Sequence, residues 1–124
     1  AEYIASGGNE NIILCERGIR TFEHATRNTL DISAIPMLKS LSHLPVIIDP
    51  SHAIGLRTFV PALANAALAA GADGLMIEAN PEPDLSISDA SQTISFHSFA
   101  NIMQTGKKIC EVFGKTFGRT VHAS

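Results

Sequence analysis

Three side chains have the types that hold a divalent metal: His52 in LPVIIDPSH, Glu78 in GLMIEA and Asp89 in ISDAS. One imidazole with two carboxylates suits a divalent first-row ion. His52 and Glu78 each follow an apolar run that reads as a strand. Neighbouring parallel strands lie about 4.8 Å apart, so side chains leaving two adjacent strand ends can converge, and a loop can bring Asp89 over them. A plainer arrangement competes, in which His52 bonds to Asp49 or a loop carbonyl while Glu78 and Asp89 are solvated. On spacing alone the plainer arrangement is the favoured one.

Arg17 and Arg20, in CERGIR, form a second constellation. A guanidinium fork beside Gly18 at a strand end can grip a phosphate bidentately, and the glycine permits close approach. Ordinary ion pairs with Glu16 or Glu23 are the alternative, and for these residues taken alone they are favoured. Arg57, at the start of a long helix, is a weaker phosphate candidate. His24, His43, His97 and His122 read as structural or solvated, and Asn65 as facing polar loops.

The elements that position these groups can be read from hydrophobic patterning. In residues 44–52, Pro45 introduces Val46, Ile47 and Ile48, a run suited to a strand covered on both faces. Pro50 has no N–H and ends the ladder. Asp49, Ser51 and His52 therefore stand just past the strand's C-terminal end, which in a β/α barrel is the edge where chemistry is done. A first strand is predicted over 11–16 and a third over 74–79. Helices are predicted over 1–6, closed by Gly7 and Gly8, over 31–41, over 56–70 with Gly71 as its stop, and over 96–113. Residues 80–95 form a polar loop longer than an ordinary connection, and such loops are usually functional or disordered. Residues 114–124 are expected to be a flexible tail.

Strands alternating with helices imply a parallel sheet with crossover helices. Three parallel strands cannot close a barrel, which needs eight. The pattern is therefore a small open sheet or part of something larger, and a first helix without a cap suggests a cut chain.

Composition narrows the class. The 124 residues are 45% apolar, enough for one modest core. Nine basic and twelve acidic residues give a net charge of -3 with no basic run, so a nucleic-acid footprint is not expected. Apolar stretches are broken well before the roughly 18 residues of a membrane span, so a soluble, cytoplasmic protein is expected. Cys15 and Cys110 lie far apart in different elements and are read as buried small apolar groups in a reducing compartment.

The segments LCERGIRTFE, LDISAIPMLKSLSHLPVIIDPSH and GADGLMIEANPEPDLSISDASQ closely resemble the C-terminal part of 3-deoxy-D-arabino-heptulosonate 7-phosphate (DAHP) synthase, of the short microbial type I subclass. The resemblance runs over about residues 1–113. It implies a TIM (β/α)8 barrel, of which this chain covers the last three β/α units, strands six to eight. It also implies the entry reaction of aromatic amino-acid synthesis, the shikimate pathway: C3 of phosphoenolpyruvate attacks the aldehyde of erythrose 4-phosphate, and phosphate leaves after water adds at C2.

Carried over by motif, the His of D-P-S-H is His52, the Glu of the following strand is Glu78, and the Asp of L-S-D-S is Asp89. These resemble the family's ligands to a divalent ion, manganese, iron, zinc or cobalt. A cysteine of the first barrel strand completes that set, and Cys15 is not that cysteine. Arg17 resembles the Arg that binds the phosphate of phosphoenolpyruvate. The resemblance thus implies catalytic roles for His52 and Arg17, and substrate contacts from Arg17, Arg20, Asp49 and Ser51. It favours the metal over the plainer arrangement and implies a homo-oligomer acting on two small phosphorylated substrates, without nucleic acid or membrane.

Two departures stand out. Asn80 occupies the place, two after the glutamate, where the family usually has His. The ligand cysteine, a Lys-Pro-Arg-Thr-Ser stretch and a fifth-strand lysine are not in this chain. The nearest rival is 3-deoxy-D-manno-octulosonate 8-phosphate synthase, against which stands RTFEHATRNTLDISAIP, where that relative has a Phe-Gly-Tyr-containing segment. A rival of another class is a non-catalytic α/β fragment that binds phosphates or partners.

Overall fold

The computed structural model describes residues 1–118. Three parallel strands, β1 (Leu14–Glu16), β2 (Val46–Ile48) and β3 (Gly74–Leu75), form one sheet in the order β1-β2-β3. Leu14, Cys15 and Glu16 face Val46, Ile47 and Ile48 in register, and Ile47 and Ile48 face Gly74 and Leu75. Central β2 has Val46 and Ile48 fully buried, as its unbroken aliphatic run predicts.

The helices are α1 (Glu2–Ser6), α2 (Ala34–Leu41), α3 (Pro50–Ile54), α4 (Val60–Ala69) and α5 (Phe96–Val112). Two clusters of apolar side chains hold the layers together. Ile35, Val46, Ile48, Ala67 and Ala72 join the sheet to α2 and the end of α4. Val60, Ala64, Ile94 and Ile102 join α4 to α5. Fully burying one such aliphatic side chain stabilises by about 1.5–3 kcal/mol, so these few residues fix how the strand ends are presented.

The strands are shorter than patterning predicts, for identifiable reasons. β1 begins at Leu14 rather than 11, where the Leu14 N–H reaches the Pro45 carbonyl; Pro45 has no N–H to return and the ladder goes no further back. β3 runs only to Leu75 instead of Ala79, because its partner strand turns into α3. Met76 N–H still bonds to the Ile48 carbonyl, but Glu78 N–H is met by Ser51 Oγ instead of a strand. Ala79 then bridges Ile94.

The helix predicted over 56–70 is divided. Arg57–Phe59 is a 3-10 turn, and the α-helix begins at Val60 with Pro61 in its first turn. Pro61 cannot donate to Arg57, so a regular helix cannot extend back through it. Helix α3 was not expected. Its signals are a chain-local set: Asp49 as N-cap accepting from His52 N–H, Pro50 at the first position, and left-handed Gly55 closing the end.

Cys110 is buried, as expected, but Cys15 is exposed, on the opposite pleat from its partly buried neighbours Leu14 and Glu16. Both are free thiols. Partial burial of the Cys15 sulfur pushes its pKa above the usual thiol value, and the nearby Asp49 carboxylate adds to this against the pull of Arg17. Residues 119–124, including His122 and most of the predicted tail, lie outside the described residues. Lys115 donates through its backbone to Cys110 and through Nζ to the Gly71 carbonyl. No described helix is long and apolar enough to cross a membrane.

Candidate metal centre and phosphate clamp

The C-terminal ends of the strands carry the site. β1 ends in Glu16 and is followed by Arg17, β2 is followed by Asp49, and the chain beyond β3 carries Glu78. The turn from β2 into α3 aims His52 back over this edge, because Asp49 caps the helix with Oδ1 accepting from His52 N–H at 3.0 Å.

His52, Glu78 and Asp89 offer one nitrogen and two carboxylate oxygens that all lie within 4.8 Å of one another. His52 Nε2 is 3.1 Å from Glu78 Oε1. Ligands at about 2.0–2.2 Å from a shared ion are spaced by roughly 3–4 Å, so this pair fits two adjacent positions of one coordination shell. The donor set, one imidazole and two carboxylates, is borderline in softness and suits first-row divalent ions. Cys15 is not part of the group.

The other imidazole nitrogen is occupied. His52 Nδ1 lies 2.6 Å from Asp49 Oδ2, and the same oxygen accepts from Arg17 Nε at 3.2 Å. The plainer arrangement, a bond between His52 and Asp49, is thus present alongside the cluster and orients the ring for it. Asp49 is fully buried, while the Arg17 side chain is 55% exposed. Among the described residues, Nε is the nitrogen of the Arg17 guanidinium that is engaged. Glu16 does not pair with Arg17; its carboxylate accepts from Gly18 N–H at 2.7 Å. Gly18 has φ +95, and a Cβ there would lie 2.9 Å from both Ala53 Cα and Asn28 Cβ, so this turn admits no other side chain without displacement.

The remaining expected residues are placed as follows. Ser51 is fully buried and its Oγ accepts from Glu78 N–H at 3.2 Å. Arg20 is exposed beyond the Ile19–Thr29 bridge, outside the bonded cluster. Arg57 pairs with Asp84 at 2.6 Å, fastening the long loop near its 3-10 turn Pro83–Leu85. His24, His43 and His97 are exposed, and Asn65 Oδ1 is buried without a hydrogen-bond partner. A cleft of about 660 Å³ lies between β3, α4 and α5, lined by Leu68, Leu75, Phe99 and Ile102, away from this cluster.

Sequence reading missed Arg27, Gln92 and Thr93, which surround the two carboxylates. Gln92 Nε2 donates to Glu78 Oε1 at 3.2 Å, Thr93 Oγ1 lies 3.5 Å from Glu78 Oε2, and Arg27 reaches Gln92 from 65 positions away. All three sit in polar segments with no periodicity, so nothing local marks them.

The DAHP synthetase I family model matches residues 1–113. The chain is 54% identical over 114 residues to the phospho-2-dehydro-3-deoxyheptonate aldolase of Thermotoga maritima, covering 92% of this chain and 34% of that protein. It is 38% identical over 123 residues to the 2-dehydro-3-deoxyphosphooctonate aldolase of Protochlamydia amoebophila, covering 89% of this chain and 43% of that one. The chain thus spans well under half the length of these relatives. A crystal structure of the Thermotoga maritima DAHP synthase superposes with a TM-score of 0.91 at 52% identity, over 93% of this chain and 34% of that one. A truncated form of the same synthase gives the same score and identity over 44% of its length. The family model over residues 1–113 and the 54% identity over most of this chain agree: the chain belongs to the DAHP synthetase I family.

Proposed function

We propose that this chain supplies the last three β/α units of a TIM barrel that condenses phosphoenolpyruvate with erythrose 4-phosphate, as a cytoplasmic homo-oligomer. The observation that carries this reading is the convergence of His52, Glu78 and Asp89 within 4.8 Å at the C-terminal edge of the sheet, beside the half-exposed Arg17. His52, Glu78 and Asp89 would hold a divalent ion, manganese, iron, zinc or cobalt. That ion, when bound, supplies Lewis-acid polarisation of the aldehyde or of the water that adds at C2.

The chain's own residues do the positioning. Arg17 offers its two terminal nitrogens to the phosphate of phosphoenolpyruvate while Nε stays on Asp49, which fixes the fork's plane. Asp49 holds the His52 ring with Nε2 toward the acidic pair, and Ser51 holds the backbone of Glu78. Asp49 and Ser51 therefore serve substrate through Arg17, His52 and Glu78. Arg20, exposed three residues after Arg17, is a further contact for a phosphate.

The identity of 54% to the heptonate enzyme against 38% to an octonate enzyme supports erythrose 4-phosphate over arabinose 5-phosphate as the aldehyde. The test uses the full-length protein that carries this segment. Phosphate release from phosphoenolpyruvate is followed with each sugar phosphate, and Mn²⁺ binding is followed by the free-ion resonance signal. Mn²⁺-dependent release with erythrose 4-phosphate, abolished in His52→Ala, is expected. Release only with arabinose 5-phosphate, or wild-type Mn²⁺ affinity in His52→Ala, would overturn the reading.

A further inference from the structure

Arg27 lies in the loop after β1, yet its guanidinium approaches one acidic member of the metal cluster directly, Asp89, and is linked to the other, Glu78, through Gln92. Nη1 is 3.8 Å from Asp89 Oδ1 and donates to Gln92 Oε1 at 3.3 Å. Gln92, fully buried, donates onward through Nε2 to Glu78 Oε1 at 3.2 Å. The direction of this relay is forced. A guanidinium can only donate and an ionised carboxylate can only accept, so the amide must turn its oxygen to Arg27 and its nitrogen to Glu78.

The loop end that carries Asp89 is built around the same contact. Asp89 sits at φ 52, a region that non-glycine residues seldom occupy. Its carbonyl accepts from Gln92 N–H at 3.0 Å, Thr93 N–H at 3.2 Å and Thr93 Oγ1 at 3.0 Å. Asp89 and Gln92 therefore move as one turn, and Arg27 grips both ends of it. The path of the arginine is also shaped: Gly55, at φ +67, leaves room for its stem, and a Cβ there would lie 3.1 Å from Arg27 Cβ and 3.2 Å from its Cδ.

We propose that Arg27 is a positioning residue of the metal centre, aiming Asp89 by direct charge contact and Glu78 through Gln92. This rests on the metal reading above. A cation set behind two carboxylates offsets their mutual repulsion and orients their oxygens before an ion arrives. Outer partners of this kind typically change metal affinity by about 10–100-fold when removed. The Arg27 side chain is 59% exposed, so its loss should leave the metal-free fold nearly untouched.

The experiment measures Mn²⁺ affinity and the thermal midpoint with and without Mn²⁺ in the full-length protein. The variants are Arg27→Ala, Arg27→Lys, Gln92→Met, Asp89→Ala, Arg27→Ala with Asp89→Ala, and His52→Ala. Arg27→Ala and Gln92→Met should bind Mn²⁺ about tenfold more weakly, and Arg27→Ala should keep the metal-free midpoint while losing much of the Mn²⁺-induced rise. Arg27→Lys, which can restore the charge near Asp89 but not the fork, should recover part of the affinity. In the Asp89→Ala background, Arg27→Ala should cost clearly less than it does alone. Weakened binding in His52→Ala together with wild-type binding in Arg27→Ala, or a full, additive loss in the double variant, would overturn the inference while sparing the metal reading. Wild-type binding in His52→Ala would overturn both.

Discussion

His52 Nδ1 and Asp49 Oδ2 meet at 2.6 Å inside the first turn of the helix that Asp49 itself caps. One carboxylate thereby sets the backbone entry of α3, the orientation of an imidazole and, through Arg17 Nε, the plane of a guanidinium. Nδ1 held on a carboxylate leaves Nε2 to face Glu78 and, in the arrangement proposed, an ion.

Asp49→Asn keeps the shape but weakens this hold. The full-length variant should lose about 10–100-fold in Mn²⁺ affinity with little change in its circular dichroism. Unaltered affinity would show that the ring is oriented by something else.

The three proposed ligands should not be equal. His52 and Glu78 leave the turn after β2 and the chain just after β3, with Ser51 fastening the Glu78 backbone, while Asp89 rides a long loop and its side chain is 39% exposed. Alanine at 52 or 78 should therefore lower Mn²⁺ affinity more than alanine at 89, in the same titration. A larger loss at 89 would reverse the ranking.

Arg17→Lys keeps the charge and loses the fork. The Michaelis constant for phosphoenolpyruvate should rise by about tenfold, the worth of one charge-assisted hydrogen bond, with that for erythrose 4-phosphate little changed. Steady-state kinetics varying each substrate separately would settle it, and an unchanged constant for phosphoenolpyruvate would remove Arg17 as the clamp.

Asp73 ties the crossover helix α2 to the sheet. Lys39 Nζ bonds both its oxygens at 2.7 Å, and Val46 N–H donates to Oδ2 at 2.9 Å. Burial is the largest single influence on this carboxyl and acts upward, but the bonds from Lys39 and Val46 with the charges of Lys39 and Lys115 together hold its pKa below the ordinary 3.8. A depressed folded-state value means that the contribution to stability is present above 3.8 and fades as pH falls through the folded value. Asp73→Asn should lower the thermal midpoint at neutral pH, and the gap to wild type should narrow below pH 3.8. A gap independent of pH would mean that the charge is immaterial.

Among the described residues β1 and β3 each pair with β2 alone, and Ile13 and Met76 beside them are 59% and 46% exposed. Such edges invite association. The 124-residue chain by itself should self-associate or be poorly ordered and should release no phosphate from phosphoenolpyruvate, with or without metal. Light scattering with a phosphate assay tests this; a cooperatively folding monomer that turned over both substrates would refute it.

How much of this was legible depended on whether the signal was local. The aliphatic run of β2, the helical spacing of Ile35 and Leu38, and the polar stop at Asp49 lie in consecutive residues, and the corresponding elements appear where patterning puts them. Strand lengths were not legible, because a ladder ends where its partner does, and the partner of β3 ends at Ile48. Helix α3 went unread, although D-P-S-H followed by Gly55 holds a cap, a first-turn proline and a left-handed stop compressed into one short turn. Convergence of His52, Glu78 and Asp89 could be suspected from strand ends and motif resemblance. The relay from Arg27 through Gln92 could not, since it joins two aperiodic loops 65 residues apart.

Gly18 and Gly55 contact neither an ion nor a substrate in the arrangement proposed, yet each stands directly behind an arginine of the site: one turns the chain beside Arg17, the other clears the stem of Arg27. In a genetic screen for growth without aromatic amino acids, alleles at these two positions should cluster with alleles at His52 and Glu78. A geneticist mapping the phenotype alone would score them as active-site lesions. Their defect would instead be one of shape, inherited through one added carbon atom.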